Sequence, residues 1–308
     1  MPKVLDYNAT LVERQDLTPA LAIFTLRCDE PFDDFVPGQY MTIGMNNEEV
    51  AELGSVRRPM SLASAPQDEG GREFYIRFVD HPESDNPLTH LLWRTKVGDR
   101  LYIRPKAVGH FTVPHTVGAD DPRVRVTVAA GTGLAPFISM VRHEIRQDPE
   151  VSLARWAILH GASYPADLGY REELEGLAQR NGLVYAATVS RPKEAPDWQG
   201  DVGRVEDYFR ADRLPELEGR LGLEVGGLVP ENAVIYICGL QGTIGQTLTR
   251  MIGRGFVPDN KRIRRVLEVP DDAPASLFFE QYDKTPVIPI DDEAEMVRLR
   301  AELHAAIR

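Results

Sequence analysis

At 308 residues the chain is long enough for two domains of ordinary size, and its 43% hydrophobic and 27% charged residues are typical of a globular protein. Its formal net charge of −12 argues against nucleic acid as the main partner. The sequence contains no apolar run of the ~20 residues needed to cross a bilayer and no signal-peptide core, so we expect a cytoplasmic protein without membrane contact. Two cysteines, Cys28 and Cys238, are too few for a disulfide framework, a zinc site or a cysteine-held iron–sulfur cluster. Any redox chemistry therefore needs an organic cofactor or a cluster on another protein.

Residues 1–118 have the pattern of an all-β domain. Short runs rich in β-branched and aromatic residues recur between Gly, Pro and Asp. These runs predict strands at Ala9–Val12, Ala20–Leu26, Gln39–Ile43, Arg58–Ala63, Glu73–Val79 and Arg100–Ile103. Their spacing predicts a small antiparallel barrel, interrupted by one helical stretch at Leu88–Lys96.

Residues 119–283 have a different pattern, in which apolar strands alternate with amphipathic helices. Strands are predicted at Val124–Ala130, Trp156–His160, Leu183–Val189 and Val234–Cys238. Helices are predicted at Pro136–Arg146, Tyr170–Arg180 and Thr243–Arg254. This alternation indicates a parallel sheet wound on both faces. The predicted fold class is therefore a two-domain β plus α/β protein, in which an antiparallel barrel is followed by a nucleotide-binding type of domain.

Residues 284–308 form a C-terminal extension. An extended stretch between Pro286 and Pro289 precedes a helix predicted over Asp291–Arg308, and Met296, Leu299 and Leu303 form an apolar stripe along that helix. Because an isolated 18-residue helix is marginal in water, the stripe must pack on something. Packing of the stripe against the chain's own α/β domain and packing against a second copy in a homodimer are equally consistent with the pattern.

A glycine-rich turn follows the first predicted strand of the α/β domain. Gly131 and Gly133 lack a Cβ, so their backbone can approach a pyrophosphate closely, and Pro136 stands near the first position of the following helix. The alternative is a tight strand–helix turn that needs a positive φ.

Two other short motifs stand at predicted strand ends. In Arg58-Pro59-Met60-Ser61 the arginine could grip a diphosphate and the serine could reach a cofactor ring; alternatively, they are an exposed arginine and a self-satisfied serine. In Cys238-Gly239 the cysteine lies at the carboxyl end of a strand, where ligands bind in such folds, but a lone cysteine there is also a small buried hydrophobe.

Taken together and in this order, the three motifs resemble those of the ferredoxin/flavodoxin–NADP⁺ reductase family, over roughly residues 5–282. Arg58–Ser61 corresponds to the family's Arg-x-Tyr-Ser flavin motif, Gly131–Pro136 to its pyrophosphate turn and Cys238-Gly239 to its nicotinamide-side pair. Pro87-Leu88-Thr89 and the combination of Ser190-Arg191 with Gly203-Arg204 resemble the bacterial branch.

The resemblance implies residues for two cofactors, FAD and NADP(H). For FAD they are Arg58, Pro59, Met60, Ser61, Tyr75, Pro87, Leu88, Thr89, Thr132, Phe278 and Tyr282. For NADP(H) they are Gly131, Gly133, Ala162, Ser163, Ser190, Arg191, Arg204, Leu240, Gln241 and Gly242. Arg58 is implied to bind the FAD diphosphate, and Arg191 and Arg204 the 2′-phosphate of NADPH.

The implied activity is hydride exchange between NADPH and flavin N5, with one-electron transfer to or from ferredoxin or flavodoxin. Ser61, Cys238 and Glu280 are the implied catalytic residues. Four features depart from the family. Met60 replaces the usual tyrosine, and Ser163 stands where the bacterial branch commonly has an arginine. His110 follows Gly109 where some members carry threonine, and a 26-residue extension follows Tyr282. The serine weakens the case for NADPH over NADH.

An acidic chain needs a local basic patch to dock an acidic ferredoxin or flavodoxin. The densest basic run is Lys261-Arg262-Ile263-Arg264-Arg265, which fits docking or an NADPH contact. A solvated face beside the last strand, or pairing with the chain's own carboxylates, fits the same run.

Three other functions stay open. One is an NAD(P)H-dependent reductase component of an oxygenase, although many of those carry a fused ferredoxin domain with four clustered cysteines. Another is a diaphorase-like flavin reductase that acts on free quinones or flavins. The third is a non-catalytic flavoprotein subunit of a larger complex.

Overall fold

The computed structural model describes residues 4–31, 34–282 and 285–307. These residues form two compact units. The first contains the chain up to Thr112 together with Ala135–Pro149, and the second contains Val113–Leu134 together with the chain from Glu150 onward. The first stretch thus ends shortly before residue 118, the limit predicted from the sequence. Which cofactor each unit binds stays a prediction.

Within the described residues, the first unit is a six-stranded antiparallel sheet. The strands are β1 (Ala9–Thr18), β2 (Leu21–Cys28), β3 (Tyr40–Asn46), β4 (Ser55–Ser61), β5 (Arg72–Arg77) and β6 (Arg100–Ile103). They lie in the order β4-β3-β6-β1-β2-β5, and a bridge between Leu62 and Phe74 joins the two edges into a barrel. The antiparallel barrel predicted from the strand spacing is therefore confirmed.

Two helices belong to this unit, α1 (Leu88–Trp93) and α3 (Ala135–Gln147). Helix α3 follows the glycine-rich turn in the chain but packs with the barrel. Its Ser139 hydroxyl donates to the carbonyl of Ser64 at 2.7 Å, and Arg142 pairs with Glu73 at 2.6 Å. Sequence periodicity predicted this helix but could not show which unit it would join.

The second unit is a six-stranded sheet whose paired strands run parallel throughout the part of the chain that the structure describes. The strands are β7 (Val124–Ala130), β8 (Trp156–Ala162), β9 (Val184–Val189), β10 (Asp201–Val202), β11 (Ala233–Cys238) and β12 (Leu277–Glu280). They lie in the order β10-β9-β8-β7-β11-β12. The parallel α/β domain predicted from the alternating pattern is confirmed.

The helices of the second unit include short connectors and longer packed segments. They are α2 (Val113–Thr116), α4 (Arg171–Asn181), α5 (Leu214–Arg220), α6 (Gln241–Ile252), α7 (Lys261–Val266) and α8 (Glu293–Ala306). No helix among the described residues is long and apolar enough to span a membrane.

The C-terminal extension is part of the second unit's core. Asp292 caps α8 by accepting a hydrogen bond from the backbone N–H of Glu295, as the acidic start of the segment predicted. Met296, Leu299 and Leu303 are at most 2% exposed and lie in one apolar cluster with Phe256. The stripe thus packs on the chain's own unit, and the alternative of a homodimer through this helix gains no support.

A buried histidine gives the second unit a predicted acid sensitivity. His160 on β8 is fully buried with Nδ1 3.1 Å from the Tyr185 hydroxyl, and burial lowers its pKa from the ordinary 6.5 to about 3. Between these values the unfolded chain binds a proton that the folded chain does not, so stability is lost as pH falls. We expect His160→Gln to remove a slope of about 1.4 kcal/mol per pH unit in the free energy of unfolding between pH 6.5 and 4. Denaturant unfolding at several pH values measures this slope.

The control for this experiment is His81→Gln, because the His81 side chain is 96% exposed. This variant should keep the wild-type slope. If the slope of His160→Gln equals that of the wild type, the burial of His160 is not the source of the acid sensitivity.

Candidate functional site

The glycine-rich turn and the Cys-Gly pair meet at the carboxyl edge of the parallel sheet. Their strands, β7 and β11, are neighbours. A Cβ at Gly133 would lie 2.0 Å from the carbonyl oxygen of Cys238, so only glycine permits this approach. Gly131 has a φ of 56° and a Cβ there would meet open space. Gly131 and Thr132, the first half of the turn Gly131–Leu134, are half-buried, and the missing Cβ at Gly131 leaves its backbone open to the close approach that a pyrophosphate needs.

Cys238 and Glu280, two of the three implied catalytic residues, lie side by side. They are register partners on the parallel strands β11 and β12. The cysteine is fully buried, and its Sγ lies 3.3 Å from the hydroxyl of Tyr282. Burial raises the pKa of the Cys238 thiol far above its ordinary value, and the Glu280 carboxylate adds to the rise. The cysteine is thus a neutral thiol at physiological pH.

The three residues that follow Cys238-Gly239 in the chain are exposed to solvent. Leu240 caps helix α6 and is 72% exposed, and Gln241 and Gly242 are exposed as well. The Gln241 side-chain amide donates to the carbonyl of Pro286 in the C-terminal extension at 2.8 Å. Phe278, an implied flavin contact, stacks on Tyr236 with ring centroids 5.1 Å apart. The sequence did not indicate either of these two contacts.

Two arginines follow the carboxyl ends of neighbouring strands. Strands β9 and β10 are paired in parallel at Thr188–Asp201 and Val189–Val202, and Arg191 and Arg204 each lie two residues beyond the end of their strand. Both side chains are exposed. Sequence spacing alone left this pair uninterpreted, whereas parallel pairing places both arginines beyond the carboxyl ends of neighbouring strands.

The end of β8 completes this edge with the implied residues Ala162 and Ser163. The Ala162 carbonyl accepts from Ser190 N–H at 3.0 Å, and the Ser163 carbonyl accepts from Arg191 N–H at 3.1 Å. Backbone hydrogen bonds therefore continue past the strands and fix where Arg191 leaves the sheet.

The loop that carries Arg204 contains a buried carboxylate that the sequence did not point to. Glu206 is 3% exposed and accepts from the Thr243 hydroxyl of α6 at 3.1 Å, while its other oxygen lies 3.9 Å from Arg204. Asp207 also accepts from the Arg204 N–H at 3.0 Å. These contacts tie the loop to the helix that begins at Gln241.

The implied flavin residues of the first unit lie around the end of β4. Arg58 is exposed, Met60 packs against the barrel core and Ser61 is 8% exposed. Tyr75 on β5 is 4% exposed, and the bridge that closes the barrel begins one residue beyond Ser61. The antiparallel barrel thus brings the arginine motif and Tyr75 to adjoining strands.

Pro87, Leu88 and Thr89 begin helix α1 in the same unit. Pro87 occupies the position before the helix, and Leu88 and Thr89 are buried. The Thr89 hydroxyl accepts a hydrogen bond from the Val79 N–H at 3.4 Å, so its oxygen is already bonded within the first unit. In the second unit, Thr132 is half-buried within the glycine turn.

The basic run Lys261–Arg265 forms helix α7, and its arginines differ in role. Arg264 donates to the carbonyls of Pro270 and Ala273 at 2.9 Å each, so it holds the following loop. Arg262 lies 4.0 Å from Asp291, and Lys261 and Arg265 are exposed. The helix therefore combines a structural arginine with a small solvent-facing basic surface. Among the described residues, no cluster of His, Cys, Asp or Glu could hold a metal ion.

This architecture and these residues are those of one class of protein, an oxidoreductase that contains an antiparallel barrel and an α/β unit of the nucleotide-binding type. The oxidoreductase NAD-binding domain model matches residues 127–247. Ferredoxin–NADP reductase B of Sorangium cellulosum is 32% identical over 256 residues, which cover 81% of this chain and 91% of that protein. The chain therefore belongs to the ferredoxin–NADP reductase family. The predicted family and enzyme class, a flavoprotein oxidoreductase, are confirmed.

Two further relatives bear on fold and function. The crystal structure of a Neisseria gonorrhoeae ferredoxin–NADP⁺ reductase with bound FAD and NADP superposes with a TM-score of 0.69 at 21% identity, over 89% of this chain and 97% of that one. The reductase component of phenol 2-monooxygenase from a Pseudomonas species is 26% identical over 83% of this chain, which spans only 64% of that protein.

Proposed function

We propose that the chain is an FAD-dependent ferredoxin (flavodoxin)–NADP⁺ oxidoreductase, which exchanges hydride between NADPH and flavin and electrons with a small carrier. FAD is bound by the first unit and NADP(H) by the carboxyl edge of the second. The family relationship supports both cofactors, since the matching gonococcal reductase contains FAD and NADP. When bound, FAD supplies hydride acceptance at N5 and the release of electrons one at a time.

The observation that carries the proposal is the carboxyl edge of the parallel sheet. It combines the half-buried Gly131, whose backbone no Cβ covers, the close approach of Gly133 to Cys238, and two exposed arginines, Arg191 and Arg204, beyond the ends of neighbouring strands. Backbone that no Cβ covers suits a pyrophosphate, and two arginines suit a further phosphate, whereas a site for NAD commonly presents a carboxylate to the ribose. The residues present therefore fit NADP(H).

The roles of the individual residues follow from their environments. Arg58 binds the FAD diphosphate through an exposed guanidinium, which uses one donor at Nη1 on the Arg57 carbonyl at 2.9 Å and has others for a ligand. Ser61 supplies a hydroxyl near the reacting edge of the flavin. Cys238 contributes a neutral thiol, which adds no negative charge beside the nicotinamide, and Glu280 holds a carboxylate next to it on β12.

Arg58→Ala should yield protein that largely lacks FAD. The diphosphate loses a charge-assisted contact of about 1.5–3 kcal/mol, so the dissociation constant for FAD should rise by roughly 10- to 150-fold. Calorimetric titration of the apoprotein with FAD measures this directly. Arg57→Ala, the exposed neighbour on the same strand, is the matched control and should bind FAD as the wild type does. Full FAD occupancy at unchanged affinity in Arg58→Ala would exclude this diphosphate site.

The function itself is tested by anaerobic titration of the purified flavoprotein with NADPH and with NADH, followed by addition of ferredoxin or flavodoxin. We expect NADPH to bleach the flavin at lower concentration than NADH, and either carrier to reoxidise it. Flavin that neither nucleotide reduces would leave only a non-catalytic subunit role.

The carrier is expected to dock at a basic surface because ferredoxins and flavodoxins are acidic. Lys261 and Arg265 on α7 provide exposed positive charge on a chain with a net charge of −12. Charge attraction of this kind mainly speeds association, so carrier reduction should slow as salt is raised while the reduction of small-molecule acceptors should not.

A second candidate function is the reductase component of an oxygenase. The similarity to the phenol 2-monooxygenase reductase favours it, although this chain spans only part of that protein. Faster electron transfer to an oxygenase component than to ferredoxin or flavodoxin would support this alternative.

A further inference from the structure

The guanidinium of Arg191 is held by a phenol. Its Nη1 donates to the Tyr164 hydroxyl at 2.7 Å, and its central carbon lies 5.5 Å from the centroid of the Tyr164 ring. The Tyr164 side chain is half-buried, whereas Arg191 is exposed. A hydrogen bond and a cation–π contact to one side chain restrict a long and otherwise mobile arginine.

The direction of the phenol hydrogen is set by Glu194. The Tyr164 hydroxyl donates to Glu194 Oε2 at 2.9 Å, and an ionised carboxylate can only accept. The single hydrogen of the phenol therefore points to Glu194, which leaves a lone pair on the oxygen for Arg191. Glu194 is itself placed by a short turn in which its backbone N–H donates to the Arg191 carbonyl at 3.2 Å.

A phenol partner leaves the positive charge of Arg191 available to a ligand, whereas a carboxylate partner would neutralise it. Arg220 pairs with Asp201 and Glu216, and Arg298 pairs with two glutamates, so their positive charges are matched directly by negative ones. The Tyr164 phenol is neutral and uses one of the five N–H donors of the Arg191 guanidinium. Arg191 is thus oriented directly by an uncharged group, while the Glu194 carboxylate attracts the guanidinium from beyond the phenol, and donors remain for an anion.

We propose that Tyr164 is a positioning residue for Arg191 and thereby sets the preference of this site for a nucleotide that carries a 2′-phosphate. This inference rests on the proposed NADP(H) site. The backbone supports this arrangement, because the Arg191 N–H donates to the carbonyl of Ser163, the residue before Tyr164, at 3.1 Å.

Tyr164→Phe tests the proposal because it removes the hydroxyl and keeps the ring. The FAD-loaded full-length protein is titrated calorimetrically with 2′-phospho-AMP and with 5′-AMP, and the KM and kcat are measured for NADPH and NADH. We expect affinity for 2′-phospho-AMP to fall about three- to tenfold, the range for a hydrogen bond to an exposed charge, with 5′-AMP unchanged. The KM for NADPH should rise by the same factor, while kcat with either nucleotide and the KM for NADH stay constant.

A double-mutant cycle separates positioning from a structural role. In the Arg191→Ala background, Tyr164→Phe should cause no further loss, because the group that it positions is gone. Tyr185→Phe is the matched control; its hydroxyl bonds His160 on the neighbouring strand, and it should leave 2′-phospho-AMP affinity unchanged.

The outcomes distinguish this inference from the proposed function. If Arg191→Ala weakens 2′-phospho-AMP binding and Tyr164→Phe does not, the tyrosine has no positioning role but the phosphate site stands. If Arg191→Ala itself has no effect, the proposed phosphate site fails. Equal losses for 2′-phospho-AMP and 5′-AMP in Tyr164→Phe would show that the residue supports the fold instead.

Discussion

Replacing Arg191 and Arg204 together by alanine should abolish most of the preference for NADPH over NADH. Each arginine is expected to contribute about 1.5–3 kcal/mol through a contact to the 2′-phosphate, so discrimination should fall by about two to four orders of magnitude. NADH lacks this phosphate, so its KM and kcat should stay close to the wild-type values. Steady-state kinetics with both nucleotides give the two ratios.

Arg155→Ala is the matched control for the arginine pair. Arg155 is exposed in the same unit but precedes β8, at the amino end of the sheet. Its replacement should leave the preference unchanged. If the pair variant loses NADPH and NADH equally, the two arginines serve the fold. If the wild-type protein itself prefers NADH, Ser163 indicates the cofactor preference better than the two arginines do.

Ending the chain after residue 284 should destabilise the whole second unit. Ile288, Met296, Leu299 and Leu303 would leave the core, and each buried apolar side chain contributes about 1.5–3 kcal/mol. The summed loss, on the order of 6–12 kcal/mol, is comparable to the stability of a typical domain. The loss of Arg300, which pairs with Glu268 at 2.6 Å, adds to it. We expect a poorly folded second unit, seen as rapid cleavage in limited proteolysis and a lowered Tm.

Variants of the full-length protein show whether the loss of apolar burial causes the expected destabilisation. Leu299→Ala should cost about 2–5 kcal/mol, while Val297→Ala, whose side chain is 54% exposed on the same helix, should have little effect. A truncated protein with wild-type Tm and protease resistance would show that the extension does not hold the unit together.

Much of the fold was predictable because its signals are local. Strand β7 begins and ends where the sequence pattern predicted it, because its signal, an apolar run followed by a glycine turn, lies within a few consecutive residues. The short helix α7 was not predicted as a helix; its signal, the Asn260 cap, precedes a charged run with little apolar periodicity.

The site was predictable as a set of motifs but not as a set of contacts. The Cys-Gly pair and the glycine turn were each identified separately, and their contact at Gly133 follows only from the pairing of β7 with β11. Glu206 carried no motif, because a buried carboxylate beside Arg204 depends on how one loop packs on α6.

The sequence by itself determined the two-unit organisation, the family and the residue types at each motif, because these depend on periodicity and on short patterns along the chain. Tertiary structure alone decided three things: that α3 packs with the barrel, that α8 completes the core of the second unit, and that Arg191 is oriented by Tyr164. The physical reason is shared. Each outcome depends on which surfaces come into contact when segments distant in the chain pack together. Hydrophobic burial and hydrogen bonding stabilise such contacts only in the folded chain, so short sequence patterns do not reveal them.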